Sequence, residues 1–132
     1  MNGFFVAAEF AIVKVRESQL EVEAQSGNLS AILAKKIVGN IDGYLAATQL
    51  GITLASLGLG WVGEPVVSKM ILQLVAALGF TIEEHLAHDL ALPVAFAIIT
   101  VLHIVFGELA PKSIAIQRSE KTTLFVAYPL RF

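Results

Sequence analysis

The chain has 132 residues, of which 56% are hydrophobic and 15% charged, and its formal net charge is -2. Soluble domains usually carry about 25% charged residues, so the composition favours a membrane protein of one domain. The nine Lys and Arg residues form no basic stripe, and there is no cysteine, which argues against nucleic-acid binding and excludes disulfides and thiolate-bound metals.

The first predicted element is an apolar stretch over residues 4–15, which ends at Lys14 and Arg16. A helix needs about 20 apolar residues to cross a bilayer, so we expect the terminal half of a transmembrane helix. Glu9 interrupts the stretch and no basic region precedes it, which is unlike a signal peptide. A further apolar stretch begins at Leu124 and ends with the chain. We therefore expect an excerpt from a larger membrane protein, incomplete at both ends.

Residues 17–40 follow as a polar and then amphipathic segment. Gly27 and Asn28 divide it into two short helices, with Ser30 as the expected N-cap of the second. Residues 41–62 form the second predicted span. This span is rich in the small residues that let membrane helices pack closely, namely Gly51, Gly58, Gly60, Ala46, Ala47, Ala55 and Ser56.

A break follows at Gly63, Glu64 and Pro65, because proline suits the first turn of a new helix. Residues 66–80 are apolar but too short to span comfortably, which predicts a re-entrant or interfacial helix. After an acidic stretch over residues 81–89, residues 90–116 form the third predicted span. The expected fold is an all-α membrane domain with three transmembrane helices, short cytoplasmic amphipathic helices and this interfacial helix.

Basic residues near the spans predict the orientation, because cytoplasmic segments of membrane proteins are enriched in lysine and arginine. With three spans, seven of the nine basic residues fall on one side, namely Lys14, Arg16, Lys35, Lys36, Lys112, Arg118 and Lys121, whereas Lys69 falls on the other. We expect an integral membrane protein with its N-terminus outside and residues 16–40 in the cytoplasm.

The strongest candidate for chemistry is Glu108, which follows Gly107 where the third apolar run ends. Pro111 cannot donate to the carbonyl four residues earlier, that of Gly107, so this oxygen and the carboxylate are a candidate pair of ligands. Hard oxygen ligands suit Mg²⁺ or Ca²⁺. The other interpretation is an ion pair between Glu108 and Lys112, which are four residues apart. The spacing leaves both open.

Other polar residues lie within the predicted spans. Gln49, Thr53 and Ser56 share one helical face, where they can bind a cation or form interhelical hydrogen bonds. Glu9 requires a cation, a proton or a polar partner on another helix. His103 can donate a hydrogen bond within the bundle or titrate during transport, and we favour the hydrogen bond.

The acidic stretch carries a weak candidate metal site, and the sequence lacks the common enzyme motifs. A cluster of His85, His88, Glu84 and Asp89 resembles a metal site, although we favour a solvated loop. Glycine-rich phosphate loops, GxSxG elbows and HExxH motifs are absent from the sequence, so we expect no enzymatic activity.

Three stretches of the chain are distinctive when taken together: NGFFVAAEFA at residues 2–11, YLAATQLGITLASLGLGWVGEP at residues 44–65 and HIVFGELAPKS at residues 103–113. In this order and at these separations they resemble the transmembrane domain of the CNNM/CorC family. The resemblance implies a homodimeric domain of three spans and a juxtamembrane helix, followed in full-length members by cytoplasmic CBS domains. It also implies Mg²⁺ export, in some members coupled to Na⁺, and a bacterial plasma membrane.

The resemblance further implies an ion site between the spans. Gly107 and Glu108 match the family's Gly-Glu pair, while Thr53 and Ser56 fall where other branches place asparagines. With Glu9 they complete the expected ligand set. Where many members carry two serines ahead of this glutamate, the chain has Val6 and Ala8. Losing these hydroxyls predicts that the chain binds the ion differently, leaves more of its water in place or carries out another task.

Two hypotheses follow for the function. The first is transport of a divalent cation, most simply Mg²⁺ export with Na⁺ as the coupling ion. The second is a membrane-anchoring and dimerising regulatory module without transport activity, in which Glu108 has a structural role.

Overall fold

The computed structural model describes residues 1–80 and 83–131, except for the side chain of Glu84. Within these ranges the chain forms seven α-helices and one π-helical segment, and no strand. Thr81 and Ile82, which begin the predicted acidic stretch, lie outside the described residues, as does Phe132.

Three short helices open the chain: α1 over Asn2–Lys14, α2 over Glu17–Gln25 and α3 over Leu29–Val38. The predicted break between α2 and α3 is confirmed, since Gly27 has a φ of 86°, a conformation that favours glycine. The prediction of Ser30 as the N-cap is wrong. Asn28 caps α3, because its Oδ1 accepts a hydrogen bond of 3.0 Å from the Ser30 backbone N–H in the first turn.

Replacing Asn28 by alanine is expected to lower the free energy of unfolding by about 0.5–2 kcal/mol, the usual value of an N-cap. The Asn28 amide also donates to Glu23 at 3.1 Å, which this change removes as well. The measurement is the denaturation midpoint of the full-length protein. Ser30→Ala is the matched control and should have little effect; a larger loss at Ser30 would contradict the assignment.

Helix α4 is continuous over Ile41–Ala77, with Pro65 inside it. The predicted separate helix at residues 66–80 is therefore wrong. Proline removes one hydrogen bond, to the carbonyl four residues earlier, and neighbouring groups in membrane helices often compensate for that loss. The helix instead ends before Gly79, whose φ is 78°, a left-handed conformation common at helix ends.

A second long rod contains α5 over Glu84–Leu102, the π-segment over His103–Leu109 and α6 over Ala110–Gln117. It includes the predicted third span at residues 90–116, which is confirmed as a helical rod. The local distortion expected from Pro111 is also confirmed, and it takes the form of the π-segment. Helix α7 follows over Ser119–Leu130.

The buried core lies where α1, α2, α3 and α7 meet, with Ile12, Leu20, Ile37 and Val126 almost fully buried. In α4 and in the rod, by contrast, only 6% and 11% of the residues in the most apolar windows are buried. Large side chains such as Trp61 are exposed. An apolar surface of this extent requires lipid or a partner.

Among the described residues, two helical segments are long and apolar enough to cross a membrane. They are α4 over Ile41–Ala77 and the part of the second rod over His85–Gln117. At about 1.5 Å per residue, α4 is roughly 55 Å long and exceeds the hydrocarbon thickness of about 30 Å. Helix α1 has 13 residues and is shorter than a complete span. The count of three transmembrane helices therefore stays a prediction for α1.

Candidate cation site

Helix α1 packs against both rods through glycines. A Cβ on Gly51 of α4 would lie 2.6 Å from the Phe5 ring, and a Cβ on Gly3 would lie 2.8 Å from Pro111 Cγ. Both distances are shorter than a normal carbon–carbon contact of about 3.5–4.0 Å. These glycines allow α1 to approach closely, and its N-terminal turn reaches the π-segment.

A polar cluster forms at this junction, and we call it the His103 cluster: Asn2, Ser56, His103, Gly107 and Glu108. Nε2 of His103 accepts a hydrogen bond from Asn2 Nδ2 and lies 3.4 Å from Ser56 Oγ. Glu108 Oε1 is 3.8 Å from the same nitrogen. The predicted hydrogen bond of His103 within the bundle is thereby confirmed, although Nε2 accepts in the bond with Asn2 and does not donate as predicted.

Gly107 forms the wall of the His103 cluster. An added Cβ would lie 2.7 Å from His103 Cδ2 and 3.2 Å from Asn2 Nδ2. A side chain at this position would therefore separate the imidazole from Asn2. Glycine is required here for close packing, beside any role of its carbonyl as a ligand.

The π-segment changes which residues lie beside Glu108 on the helix. Its backbone N–H groups bond five residues back, as from Ala110 to the Val105 carbonyl, so residues four apart are no longer stacked. No ion pair joins Glu108 to Lys112 within 4 Å among the described residues, and that interpretation is wrong. Lys112 Nζ lies instead 4.5 Å from the centre of the Phe10 ring, a favourable cation–π distance.

Glu9 and Thr53 belong to a second group. Glu9 Oε1 accepts from Gln49 Nε2 at 3.3 Å, and Thr53 Oγ1 donates to the Gln49 carbonyl at 2.9 Å. Gln49 and Ser56 are seven residues apart on α4, about 10 Å along the axis. The structure brings Ser56, Gly107 and Glu108 together, whereas Glu9 bonds to a polar group of another helix.

Sequence reasoning missed two members of this region. Asn2 belongs to the His103 cluster and is 9% exposed. Glu64 lines a cleft of about 320 Å³ between α4 and the rod, together with Ser56, His103 and Glu108. Ser56, Gly60 and Glu64 are spaced four residues apart and therefore share one face of a helix. The sequence did not connect Glu64 with Ser56, because the predicted span ends at residue 62.

The weak histidine cluster at the other end of the rod is solvated. His85 Nδ1 lies 3.3 Å from Asp89 Oδ2, and their side chains are 89% and 63% exposed. Both lie in α5, so the expected loop is wrong, although the expected solvation is confirmed. Among the residues that the structure describes, no three histidine, cysteine, aspartate or glutamate side chains form a group that could hold a metal ion.

Two exposed apolar rods with a polar cluster between their helices define an integral membrane domain. All 132 residues match the family model of the cyclin M transmembrane N-terminal domain. The chain belongs to this family, and the resemblance to CNNM/CorC proteins is confirmed.

Curated bacterial relatives agree with this membership. The chain is 47% identical to the UPF0053 protein YhdT and 49% identical to the UPF0053 protein YugS, both of Bacillus subtilis, over 99% and 98% of its length. It is 35% identical to the UPF0053 protein sll0260 of Synechocystis over 96% of its length. The matches cover 28% to 30% of these three relatives, so the chain spans less than a third of their length.

Proposed function

We propose that this domain transports divalent cations across the bacterial plasma membrane, with Mg²⁺ as the ion and export as the direction. One observation supports the proposal above the others. The carboxylate of Glu108, on an apolar rod, lies 3.8 Å from His103 Nε2 and lines a cleft between helices together with Ser56. An ionisable group in a membrane helix is by default a candidate for ion binding.

The ligands in this region suit a hard cation. Mg²⁺ prefers oxygen and usually keeps several waters when carboxylates bind it. Glu108 and Ser56 supply oxygens, and Glu64 adds a second carboxylate to the cleft. A volume of about 320 Å³ accommodates water molecules of about 30 Å³ each.

The departure from the family's serines is consistent with a hydrated ion. Val6 and Ala8 are 4% and 0% exposed, so apolar atoms occupy this part of the helix interface. Retained water takes the place of the missing hydroxyls in this proposal. The carboxylate of Glu9 accepts a hydrogen bond from Gln49 at 3.3 Å. Na⁺ acts as the coupling ion in this proposal.

Replacing Glu108 by glutamine is expected to remove the stabilisation by Mg²⁺ of the purified full-length protein, because the isosteric amide lacks the charge that compensates the ion. A ligand at 100 times its Kd stabilises a protein by about 2.7 kcal/mol. The measurement is the melting temperature across a Mg²⁺ titration. Glu17→Gln, an exposed carboxylate in α2, is the control. An unchanged Mg²⁺ response in Glu108→Gln would exclude this carboxylate from the site.

A second candidate function is a membrane-anchoring and homodimerising module that regulates cytoplasmic CBS domains. The buried apolar side chains of Val6 and Ala8, in place of hydroxyl ligands, favour it. The two functions differ in the Mg²⁺ content of cells that carry or lack the full gene. Equal contents under Mg²⁺ load would support the anchoring module and contradict transport.

A further inference from the structure

The imidazole of His103 faces the carboxylate of the proposed site. Its side chain is 18% exposed, and its Nε2 atom is the point on which the polar groups of three helical elements converge. We propose that His103 is a direct nitrogen ligand of the transported cation, which lets the site bind Mn²⁺ and other first-row ions more tightly than the Mg²⁺ that it transports. This inference rests on the proposed function and concerns the ion preference of the same site.

The hydrogen-bond arrangement prepares Nε2 for ligation. In the amide orientation of the structure, Asn2 Nδ2 points at Nε2, and an NH₂ group can only donate. Nε2 is therefore the acceptor of this hydrogen bond. The lone pair of Nε2 points into the cluster, as binding of a metal by a neutral imidazole requires.

The distances fit one shared ion. Two ligands that are each about 2.1 Å from a metal lie roughly 3.0 Å apart at right angles and 4.2 Å apart when opposite. Nε2 of His103 is 3.8 Å from Glu108 Oε1 and 3.4 Å from Ser56 Oγ. Both values lie within this interval, so little movement is needed to place an ion among them.

Asn2 provides an independent observation. The residue is 9% exposed, and its Oδ1 is buried without a hydrogen-bond partner among the described residues. A buried acceptor without a partner costs about 1–3 kcal/mol, and a cation is a partner that would remove this cost. When an ion displaces Nδ2 from Nε2, rotation of the amide brings Oδ1 toward the same ion.

The nitrogen ligand changes the selectivity of the site. Mg²⁺ takes oxygen ligands and loses its water reluctantly. Imidazole suits first-row ions such as Fe²⁺, Ni²⁺ and Zn²⁺, and the affinity of a nitrogen and oxygen site rises along the series from Mn²⁺, its weakest member. A site of one imidazole, one carboxylate and neutral oxygens therefore favours Mn²⁺ over Mg²⁺, whereas the same site without the imidazole favours neither strongly.

The test uses the purified full-length protein and Mn²⁺ as a spectroscopic probe. Bound Mn²⁺ should show ¹⁴N couplings from one imidazole in pulsed electron paramagnetic resonance, and it should bind at least tenfold more tightly than Mg²⁺. His103→Gln should remove the ¹⁴N signal and weaken Mn²⁺ binding at least tenfold more than it weakens Mg²⁺ binding. His88→Gln, an exposed histidine on the same rod, is the control.

The outcomes separate this inference from the function on which it rests. Wild-type protein that binds Mn²⁺ without ¹⁴N couplings overturns the inference, whether or not the His103 variant folds. Equal weakening of Mn²⁺ and Mg²⁺ in His103→Gln also overturns it, since the residue then only positions its neighbours. If Glu108→Gln loses both ions while His103→Gln loses neither, only the nitrogen ligand fails. If Glu108→Gln binds both ions unchanged, the proposed site itself fails.

Discussion

Replacing Gly107 by alanine is expected to weaken Mg²⁺ binding by about 10–100-fold, the range found when groups that orient metal ligands are removed. The new methyl group would lie 2.7 Å from His103 Cδ2 and 3.2 Å from Asn2 Nδ2. Overpacking of this kind costs about 1–3 kcal/mol. Because the ring and the amide must move apart, the His103 cluster loses its geometry even though no ligand side chain is removed.

The effect is measured as the shift of the Mg²⁺ concentration that gives half of the maximal stabilisation. Gly58→Ala is the matched control, since a Cβ at Gly58 would meet nothing within 4 Å. Alanine is favoured over glycine in a helix by about 1 kcal/mol, so this control should keep or raise the melting temperature. A Gly107→Ala protein with unchanged Mg²⁺ affinity would show that the cluster is not the binding site.

Much of the architecture can be predicted from the length of the apolar runs and from the glycines that break the helices. The apolar stretch at residues 90–116 is long enough to predict a span, and the structure has a helical rod there. The division of residues 17–40 also follows, because Gly27 adopts a positive φ that few other residues tolerate. These features are set by residues that are adjacent in the sequence, so they can be predicted from the sequence alone.

Two predictions are wrong because they depend on hydrogen bonds and contacts that the local sequence does not show. Pro65 was expected to begin a new helix, yet α4 continues through it to Ala77, because one lost hydrogen bond does not outweigh the bonds that a long helix keeps. The spacing of Glu108 and Lys112 suits an ion pair only in a regular α-helix. The π-segment changes that register, and the Phe10 ring of α1 provides Lys112 with another partner.

The candidate site was predictable in part. Glu108 and Gly107 could be identified from the cost of a carboxylate in an apolar run. Asn2 could not, because its role depends on a contact with His103, 101 residues away in the chain. Sequence separation of this size gives no local pattern, so the partner of a polar residue is known only once the helices are packed.

The contact between Gly51 and Phe5 leads to a second large expected effect. Gly51→Ala should lower the free energy of unfolding by about 1–3 kcal/mol, although alanine has the higher helix propensity. A Cβ at Gly51 would lie 2.6 Å from Phe5 Cδ1 and Cε1 and 2.7 Å from Cγ. The contact includes the base of the ring, so rotation of its far edge does not relieve it, and α1 must move away from α4.

A double-mutant cycle isolates this contact. In a Phe5→Ala background the ring is absent, so Gly51→Ala should become neutral or stabilising, with a coupling energy of about 0.5–3 kcal/mol for residues in contact. Chemical denaturation of the four full-length proteins gives the value. Additive effects would mean that α1 does not rest on Gly51. Since α1 also carries Asn2 into the His103 cluster, Gly51→Ala should weaken Mg²⁺ binding as well, and Phe5→Ala should restore it in the double variant.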